Sequence, residues 1–589
     1  MQEAHAVPLT PLPSAFLTAV IALAEECPDK DTFATRKNAL AKAHGLNGAP
    51  QDSVILMSLP PDTAQIVRER LKTHAVRTHS GVTVIAIMTK PMRCPHGKCT
   101  YCPGGPGSAF GDTPQSYTGH EPATMRGRRA QYDAYVQVFN RLEQYIISGH
   151  DPQKAEIILM GGTFPSYPDE YQDEVIHGVF QALNDFSSLF YHDGEGSTHT
   201  RFDEEAFKIF YELPGSVHDV ERVTRIQERI RHEKSTSPRA TGSISDLQRE
   251  NETASIRCVG LTIETRPTHA RTSHALRMLA QGCTRVELGV QTTVDEVLTA
   301  VHRDHTSVET KAAIAELRDL GFKLNYHLML GLPGMHPERD LTALREIFTD
   351  PAYRPDMVKI YPCLVMPGTK LYLDFQAGTY RPYTTAESAA VIAQAKAFIP
   401  HWVRVMRVQR DIPTKVTTAG VDRTNLRQEV DAERERRGIV CACIRCREPK
   451  GAVASDVHPT LRTTVYEAAG GTEHFIEELD AVSNALLGFC RLRFPARTDL
   501  HSSIGPESAL IRELHVYGTA TGIGDDGAVQ HRGTGRRLMA EAERIAFNAK
   551  KQKMVVIAGV GVRQYYIERL GYHHDREYVS KDLGGQHNG

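Results

Sequence analysis

Apolar residues in the first 80 positions recur at helical spacing, as in PSAFLTAVIALAEE, and the segment turns basic at its end in IVRERLKTHAVRTHSG. From Val82 the period changes. Short β-rich runs alternate with amphipathic stretches: TVIAIM (83–88), EIILM (156–160), VGLTI (259–263), RVELGV (285–290), KLNYHLML (323–330) and MVKIY (357–361). Between the first two, Tyr132, Tyr135, Val136, Phe139, Leu142 and Ile146 fall on one helical face. Six strands separated by helices predict a parallel sheet that closes only part of a barrel. A charged, Ser/Thr-rich stretch at 191–255 breaks the rhythm and reads as an insertion, partly helical and partly mobile. An irregular, Arg-rich zone covers 400–455. After Val465 a second α/β pattern begins: strands ALLGFCRLRF and ALIRELHVYG, a helix from Thr534, the strand KMVVIAG and the short helix VRQYYIERLG. The expected domains are a helical segment that turns basic (1–80), a barrel (81–400), a linker (401–455) and a C-terminal α/β domain (456–589).

Composition narrows the class. Hydrophobic residues are 41% and charged residues 24%, ordinary for a globular chain. No apolar run approaches the roughly 20 residues that cross a bilayer, and no basic n-region precedes the N-terminal apolar stretch. The expectation is a cytoplasmic protein without a membrane partner. A net charge of -2 advertises no global affinity for nucleic acid, so any RNA contact rests on local patches. Six of the 11 cysteines form two tight clusters, which in a cytosolic chain point to metal before disulfides.

Cys94, Cys99 and Cys102 stand in RCPHGKCTYCPGGPG, in the loop after the first strand, where a βα barrel carries its chemistry. Three thiolates hold three irons of a 4Fe–4S cluster and leave the fourth open. The alternative is a zinc knuckle completed by His96. Other strand ends favour the cluster. Gly161-Gly162-Thr163 follow the second strand, where glycine lets backbone approach a ligand; Glu264 ends the third and Gln291 the fourth. This set resembles the radical S-adenosylmethionine enzymes, although four residues here separate the first two cysteines where that superfamily usually has three.

Cys441, Cys443 and Cys446, in VCACIRCREPK, fit a structural zinc clip in the linker, with Cys363 as the leading fourth ligand and His401 behind it; a reduced thiol cluster without metal is the alternative. Cys27, Cys258, Cys283 and Cys490 read as packing residues.

Gln530, Gly533, Thr534 and Gly535, in QHRGTGRRLM, open a helix and resemble the coenzyme A turn of GNAT-type acetyltransferases. Free N–H groups at a helix N-terminus suit a pyrophosphate. Tyr565 and Tyr566 fall where that fold keeps a tyrosine near the thioester sulfur, able to protonate the leaving thiolate. Glu513, Leu514, His515 and Val516 lie on the strand expected to pair with the acetyl-pantetheine arm. The fold class is α/β: a partial (β/α)6 radical S-adenosylmethionine barrel followed by a GNAT-type domain.

Together CPHGKCTYCPGGPGS, QSYTGHEPATMR, EIILMGGTFPSYP, GLTIETRP, ELGVQT, HLMLGLPGM, KIYPCLVMPGT, CIRCRE, IRELHVYG and GVGVRQYY span about residues 80–580. They resemble the Elongator catalytic-subunit family of tRNA wobble-uridine acetyltransferases. That resemblance implies a 4Fe–4S cluster, S-adenosylmethionine, acetyl-CoA and structural zinc. It implies transfer of a carboxymethyl precursor to carbon 5 of the wobble uridine, through a radical formed on the acetyl methyl, and it makes Lys90 and Lys154 acetyl-CoA contacts. The anticodon loop of tRNA is the expected partner, with Arg126, Arg128, Arg129, Arg404, Arg407 and Arg410 as phosphate candidates; a homo-oligomer or larger complex is also possible. The rival readings are a protein lysine acetyltransferase using the C-terminal domain alone and a non-catalytic tRNA-binding scaffold.

Overall fold

The computed structural model describes residues 11–27, 29–72, 81–193, 200–216, 219–449, 457–517 and 533–584. Its chain divides into two compact units.

The first unit gathers residues 1–85, 133–155 and 175–258. Its N-terminal helix, Ser14–Glu26, buries Phe16, Val20, Leu23 and Ala24, the stripe that its spacing of three and four predicts. The Ala134–Ile147 helix buries Tyr135, Val136, Phe139, Leu142 and Ile146; Tyr132 lies before it, with a positive φ. The insertion is more ordered than its composition suggests. It carries the helices Glu204–Phe210, Val220–Thr236 and Ile244–Asn251. Phe190, Phe207 and Tyr211 stack edge to face or tilted at ring separations of 5.5 and 4.8 Å, and Phe186 joins Phe190 at 4.7 Å. These rings give the segment a core that charge-dominated counting overlooks.

The second unit comprises residues 86–132, 156–174 and 259–589. It contains most of a seven-stranded sheet in chain order: Val82–Met88, Lys154–Met160, Arg257–Thr265, Arg285–Gln291, Lys323–Leu330, Met357–Pro362 and Arg404–Arg407. Pairing is parallel from the third strand onward. The six expected strands are therefore present, and a seventh joins them. Arg404–Arg407 came from the zone read as irregular; it is four residues long with arginine at both ends, too short for alternation to register.

The second sheet is mixed. Its order is Pro459–Ala468, Gly471–Asp480, Leu486–Phe494, Ser508–Val516, Lys553–Val556, Tyr578–Asp582 and His573–Asp575. The Thr534–Asn548 helix packs Leu538, Met539, Ala542 and Ala546 against Ile476, Cys490 and Ile511. Barrel and C-terminal sheet are joined by buried charge. Arg512 binds Asp356 at 2.5 Å and Glu473 at 3.0 Å; Arg318 binds Glu473 at 2.9 Å; Arg493 binds Asp319 at 2.5 Å and Glu473 at 3.0 Å. None of these side chains is more than 1% exposed.

Candidate functional site

Cys94, Cys99 and Cys102 line a cavity of about 140 Å³ at the C-terminal ends of the barrel strands, together with Gly162, Thr163, Glu264 and Gln291. The strand-end residues expected to converge there do so. Gly161 and Gly162 have φ of +128° and +134°; a Cβ on the first would lie 2.2 Å from Thr89 Oγ1 and on the second 2.9 Å from the Tyr167 hydroxyl, so this turn admits only glycine. Gln291 also has a positive φ, 69°, which aims a strand-ending amide into the cavity.

The thiol environment separates the two metal readings. Cys94, Cys99, Cys102 and His96 are not drawn within 4.8 Å of one another as ligands of a single ion are, whereas Cys441, Cys443 and Cys446 are. His96 serves Cys99 in another way: Nε2 lies 3.3 Å from its sulfur, while Nδ1 takes a hydrogen bond from Arg266. Burial, then Arg266 and Arg303, pushes His96 down to about 4, so the ring is neutral and Nε2–H donates to sulfur. Arg303, half-buried, sits 3.7 Å from the same sulfur, and the Ser116 N–H donates to Cys102 Sγ at 3.3 Å. Donors to Cys99 and Cys102, beside a third thiol on the same cavity, are the setting of an iron–sulfur cluster. No local motif marks Arg303, which only the fold brings in; Arg266 stands in GLTIETRP and Ser116 in QSYTGHEPATMR, and the fold sets them against His96 and Cys102.

The floor of the cavity is ionic. Glu287 accepts from His327 Nε2 at 2.7 Å, from Asn325 Nδ2 at 3.1 Å and from Lys359. Glu264, whose partner is the Tyr117 hydroxyl at 3.4 Å, is pushed up to about 7 by burial and then by the Glu287 charge. Arg407 and Arg410 line the cavity too. Arg404 does not; it binds Glu448 at 2.8 Å and the Tyr517 hydroxyl at 2.6 Å. Arg128 and Arg129 are exposed and Arg126 half-buried. Lys90 is likewise occupied, 3.7 Å from Glu174 and 5.0 Å from the Tyr171 ring centre. Lys154 belongs to the first unit, where burial and then Arg257 lower its ammonium pKa.

Neither expected fourth zinc ligand reaches the linker trio. Cys363 packs with Cys99, Tyr101 and Cys102 beside the cavity, and burial pushes its thiol up to about 12. His401 Nε2 is 2.9 Å from Thr464 Oγ1 and 3.6 Å from Glu477. Strand-end position and ligand chemistry suggested both, but the chain folds them elsewhere. Among the described residues no fourth His, Cys or carboxylate joins Cys441, Cys443 and Cys446. Lys396 lies 3.8 Å from Cys446 Sγ; hydrogen bonds from Cys441 and Cys443, then Lys396 and Arg434, lower the Cys446 pKa.

In the C-terminal sheet, Ser508–Ile511 pair with Lys553–Val556, and the pairing stops there. Glu513, Leu514, His515 and Val516 continue past it with that backbone edge free of its neighbour strand, a gap able to take an extended arm. Gly533 caps the following helix with φ 82°, and buried Thr534 begins it; Gln530 lies outside the described residues. A Cβ on Gly535 would lie 3.0 Å from the Tyr565 hydroxyl, 3.8 Å from Val516 and 3.9 Å from Leu514, so helix start, tyrosine and open edge meet. Tyr566 is 5% exposed among Cys490, Met539 and Tyr572, a core that Tyr565 borders partly buried.

A parallel half-barrel with three loop thiols at its mouth, joined to a separate mixed sheet, defines a radical S-adenosylmethionine enzyme with an added C-terminal domain. Residues 89–346 match the Radical SAM superfamily and 355–436 the Radical SAM C-terminal domain. The chain is 41% identical over 568 residues to the tRNA uridine(34) acetyltransferase of Methanocaldococcus jannaschii, covering 94% of each. It is 35% identical to Elongator complex protein 3 of Homo sapiens, covering 93% of this chain and 92% of that one. The structure of archaeal Methanocaldococcus infernus Elp3 with an N-terminal deletion matches with a TM-score of 0.67 at 36% identity, over 85% of this chain and 99% of that chain. The chain belongs to this family of tRNA uridine(34) acetyltransferases and Elongator complex protein 3. Membership of the radical SAM superfamily implies a 4Fe–4S cluster and S-adenosylmethionine, and the three cavity thiols, with donors to Cys99 and Cys102, suit the cluster.

Proposed function

We propose that the protein is a tRNA-modifying acyltransferase that installs the two-carbon unit of acetyl-CoA on carbon 5 of the wobble uridine, position 34, as a carboxymethyl group. One observation carries this reading: a single compact unit holds both a thiol-lined cavity and, in a GNAT-like sheet, a helix start and open strand edge suited to coenzyme A. Carbon 5 of uracil is a poor nucleophile and an acetyl methyl a poor acid, so polar catalysis struggles with both. The cluster, when bound through Cys94, Cys99 and Cys102, supplies the electron that opens a radical route.

The chain's own groups would do the rest. Gly162, Thr163 and Gln291 border the space for the S-adenosylmethionine amino-acid and ribose groups. Gly533, Thr534 and Gly535 offer helix N–H groups to the pyrophosphate, and the Glu513–Val516 edge takes the pantetheine arm. Tyr565, with its hydroxyl beside Gly535, is the candidate proton donor to the leaving thiolate. Cys441, Cys443 and Cys446 would hold a structural zinc ion. Arg128 and Arg129, exposed, and Arg410, at the cavity, are candidate phosphate contacts for tRNA.

The test incubates anaerobically reconstituted protein with S-adenosylmethionine, methyl-labelled acetyl-CoA and unmodified tRNA, and analyses digested nucleosides by mass spectrometry. Labelled 5-carboxymethyluridine in wild type, absent in Cys99→Ala, is the expected result. Label on protein lysines and never on RNA would favour the lysine acetyltransferase reading, which leaves the thiol cavity without a purpose.

A further inference from the structure

Four residues separate Cys94 from Cys99, enough to form a turn that returns a side chain to the second thiol. Pro95 and His96 occupy its centre, and Gly97, with φ +86°, closes it by donating its N–H to the Cys94 carbonyl at 3.0 Å. His96 Nε2 then lies 3.3 Å from Cys99 Sγ. The tautomer follows from the other ring nitrogen. Arg266 Nη1 donates to Nδ1; a guanidinium has no acceptor, so Nδ1 carries the lone pair and Nε2 carries the proton that faces sulfur. Arg266 is itself fixed. It is 1% exposed, and its Nη2 donates to the carbonyls of Arg303 and Asp304, each at 2.6 Å. Arg303 places Nη1 3.7 Å from the same Cys99 sulfur and Nη2 3.2 Å from the Gly289 carbonyl. Arg266 therefore ties together the two side chains that donate to Cys99, one from the cysteine loop and one from a segment some 200 residues later. The polar contacts of the His96 ring go to Arg266 and to the thiol.

We propose that His96, held by Arg266, is a positioning residue that raises the reduction potential of the cluster bound through Cys94, Cys99 and Cys102. The inference rests on that cluster and is independent of the RNA reaction. Reduction adds one electron, taken from an external one-electron reductant, and part of the added negative charge falls on the thiolate sulfurs. A hydrogen bond strengthens as its acceptor becomes more negative, so an N–H···S contact favours the reduced form over the oxidised one. Screening is weak at this place, because Cys99 and Cys102 are each only 6% exposed. Orientation matters as much as presence: a histidine free to turn would offer sulfur a lone pair as readily as a proton, and the Arg266 contact removes that choice. Arg303, reaching the same sulfur, adds a charged donor to the neutral one. The pair eases uptake of the electron by the cluster.

The test is a redox titration of the reconstituted full-length protein with dithionite, in the absence of S-adenosylmethionine, followed by the electron paramagnetic resonance of the reduced cluster. His96→Leu is expected to move the reduction equilibrium about tenfold toward the oxidised form, a midpoint lower by ~59 mV for one electron. His96→Gln, whose amide nitrogen takes the place of Nε2, should regain most of that shift. Iron content should be equal in the three proteins, which separates a change of potential from a loss of cluster. A midpoint in His96→Leu that is unchanged or higher, or one in His96→Gln as low as in His96→Leu, overturns the proposal. Wild type grown with ¹⁵N-histidine gives a second readout that needs no variant to fold. A ¹⁵N hyperfine coupling to the reduced cluster is expected, and its absence overturns the contact. If wild type takes up no more iron than Cys99→Ala, the cluster assignment falls and this inference with it. If wild type holds the cluster and His96→Leu shares its midpoint, this inference alone falls.

Discussion

Two adjacent tyrosines, Tyr565 and Tyr566, show how much one position along a helix decides. The hydroxyl of the first reaches the Gly535 turn, while the second packs in the sheet core. Tyr565→Phe is expected to slow acetyl-CoA turnover by about 10²-fold, the usual worth of a general acid, and Tyr566→Phe to leave it near wild type; a thiol-release assay on both separates the roles. Glu264 gives a pH signature. A carboxyl whose folded pKa is raised keeps a proton that the unfolded chain has lost, so stability falls as pH rises from its ordinary 4.5 to about 7. Glu264→Gln removes that slope: melting midpoints should nearly coincide at about pH 5 and favour the variant at about pH 8. The cysteine triplet and its glycine turn could be read from spacing alone. Arg303 could not, because a guanidinium in a polar run reads as surface until the fold sets it against a thiol.

At the scale of elements, strand ends and helix starts carry the chemistry. The Thr534–Asn548 helix begins on a left-handed glycine, and the next glycine clears room for Tyr565. Gly535→Val should raise KM for acetyl-CoA roughly tenfold, a cost of ~1.4 kcal/mol, with the melting temperature little changed; an unchanged KM would detach this turn from coenzyme A. In the linker, Cys441, Cys443 and Cys446 are held close enough for one ion. The expectation is about one zinc per chain, lost in Cys443→Ser, by elemental analysis. The strands and the glycine turn that opens the Thr534–Asn548 helix were legible because alternation and glycine spacing are local signals. The seventh strand and the fourth-ligand assignments were not: four residues carry no period, and Cys363 and His401 are separated from the trio by folding that no spacing records.

Across the whole molecule, the barrel and the C-terminal sheet are held in one unit by charges that share no exposed face. Asp356 receives Arg512 and lies near Arg318 and Arg491, and Glu473 receives Arg318, Arg493 and Arg512. Removing one partner leaves the others buried and unpaired. Asp356→Ala should therefore destabilise the unit by about 3–5 kcal/mol, read by denaturant titration, whereas an exposed pair such as Arg497–Asp499 should contribute less than about 1 kcal/mol. The strand Gly471–Asp480 illustrates why the sequence hides this. Its run TEHFIEELD looks like acidic surface, yet nearly every residue is buried, because Glu473, Glu477 and Glu478 each meet an arginine contributed from elsewhere in the chain.

The central claim is that the acetyl methyl carbon is activated at the thiol end and delivered to RNA. Acetyl-CoA with a fully deuterated methyl group tests it in one reaction, with 5′-deoxyadenosine and the nucleoside at position 34 both analysed by mass spectrometry. The account predicts one deuterium in 5′-deoxyadenosine and two in the carboxymethyl group of the nucleoside. A labelled nucleoside that keeps all three deuteriums, with unlabelled 5′-deoxyadenosine, would contradict it.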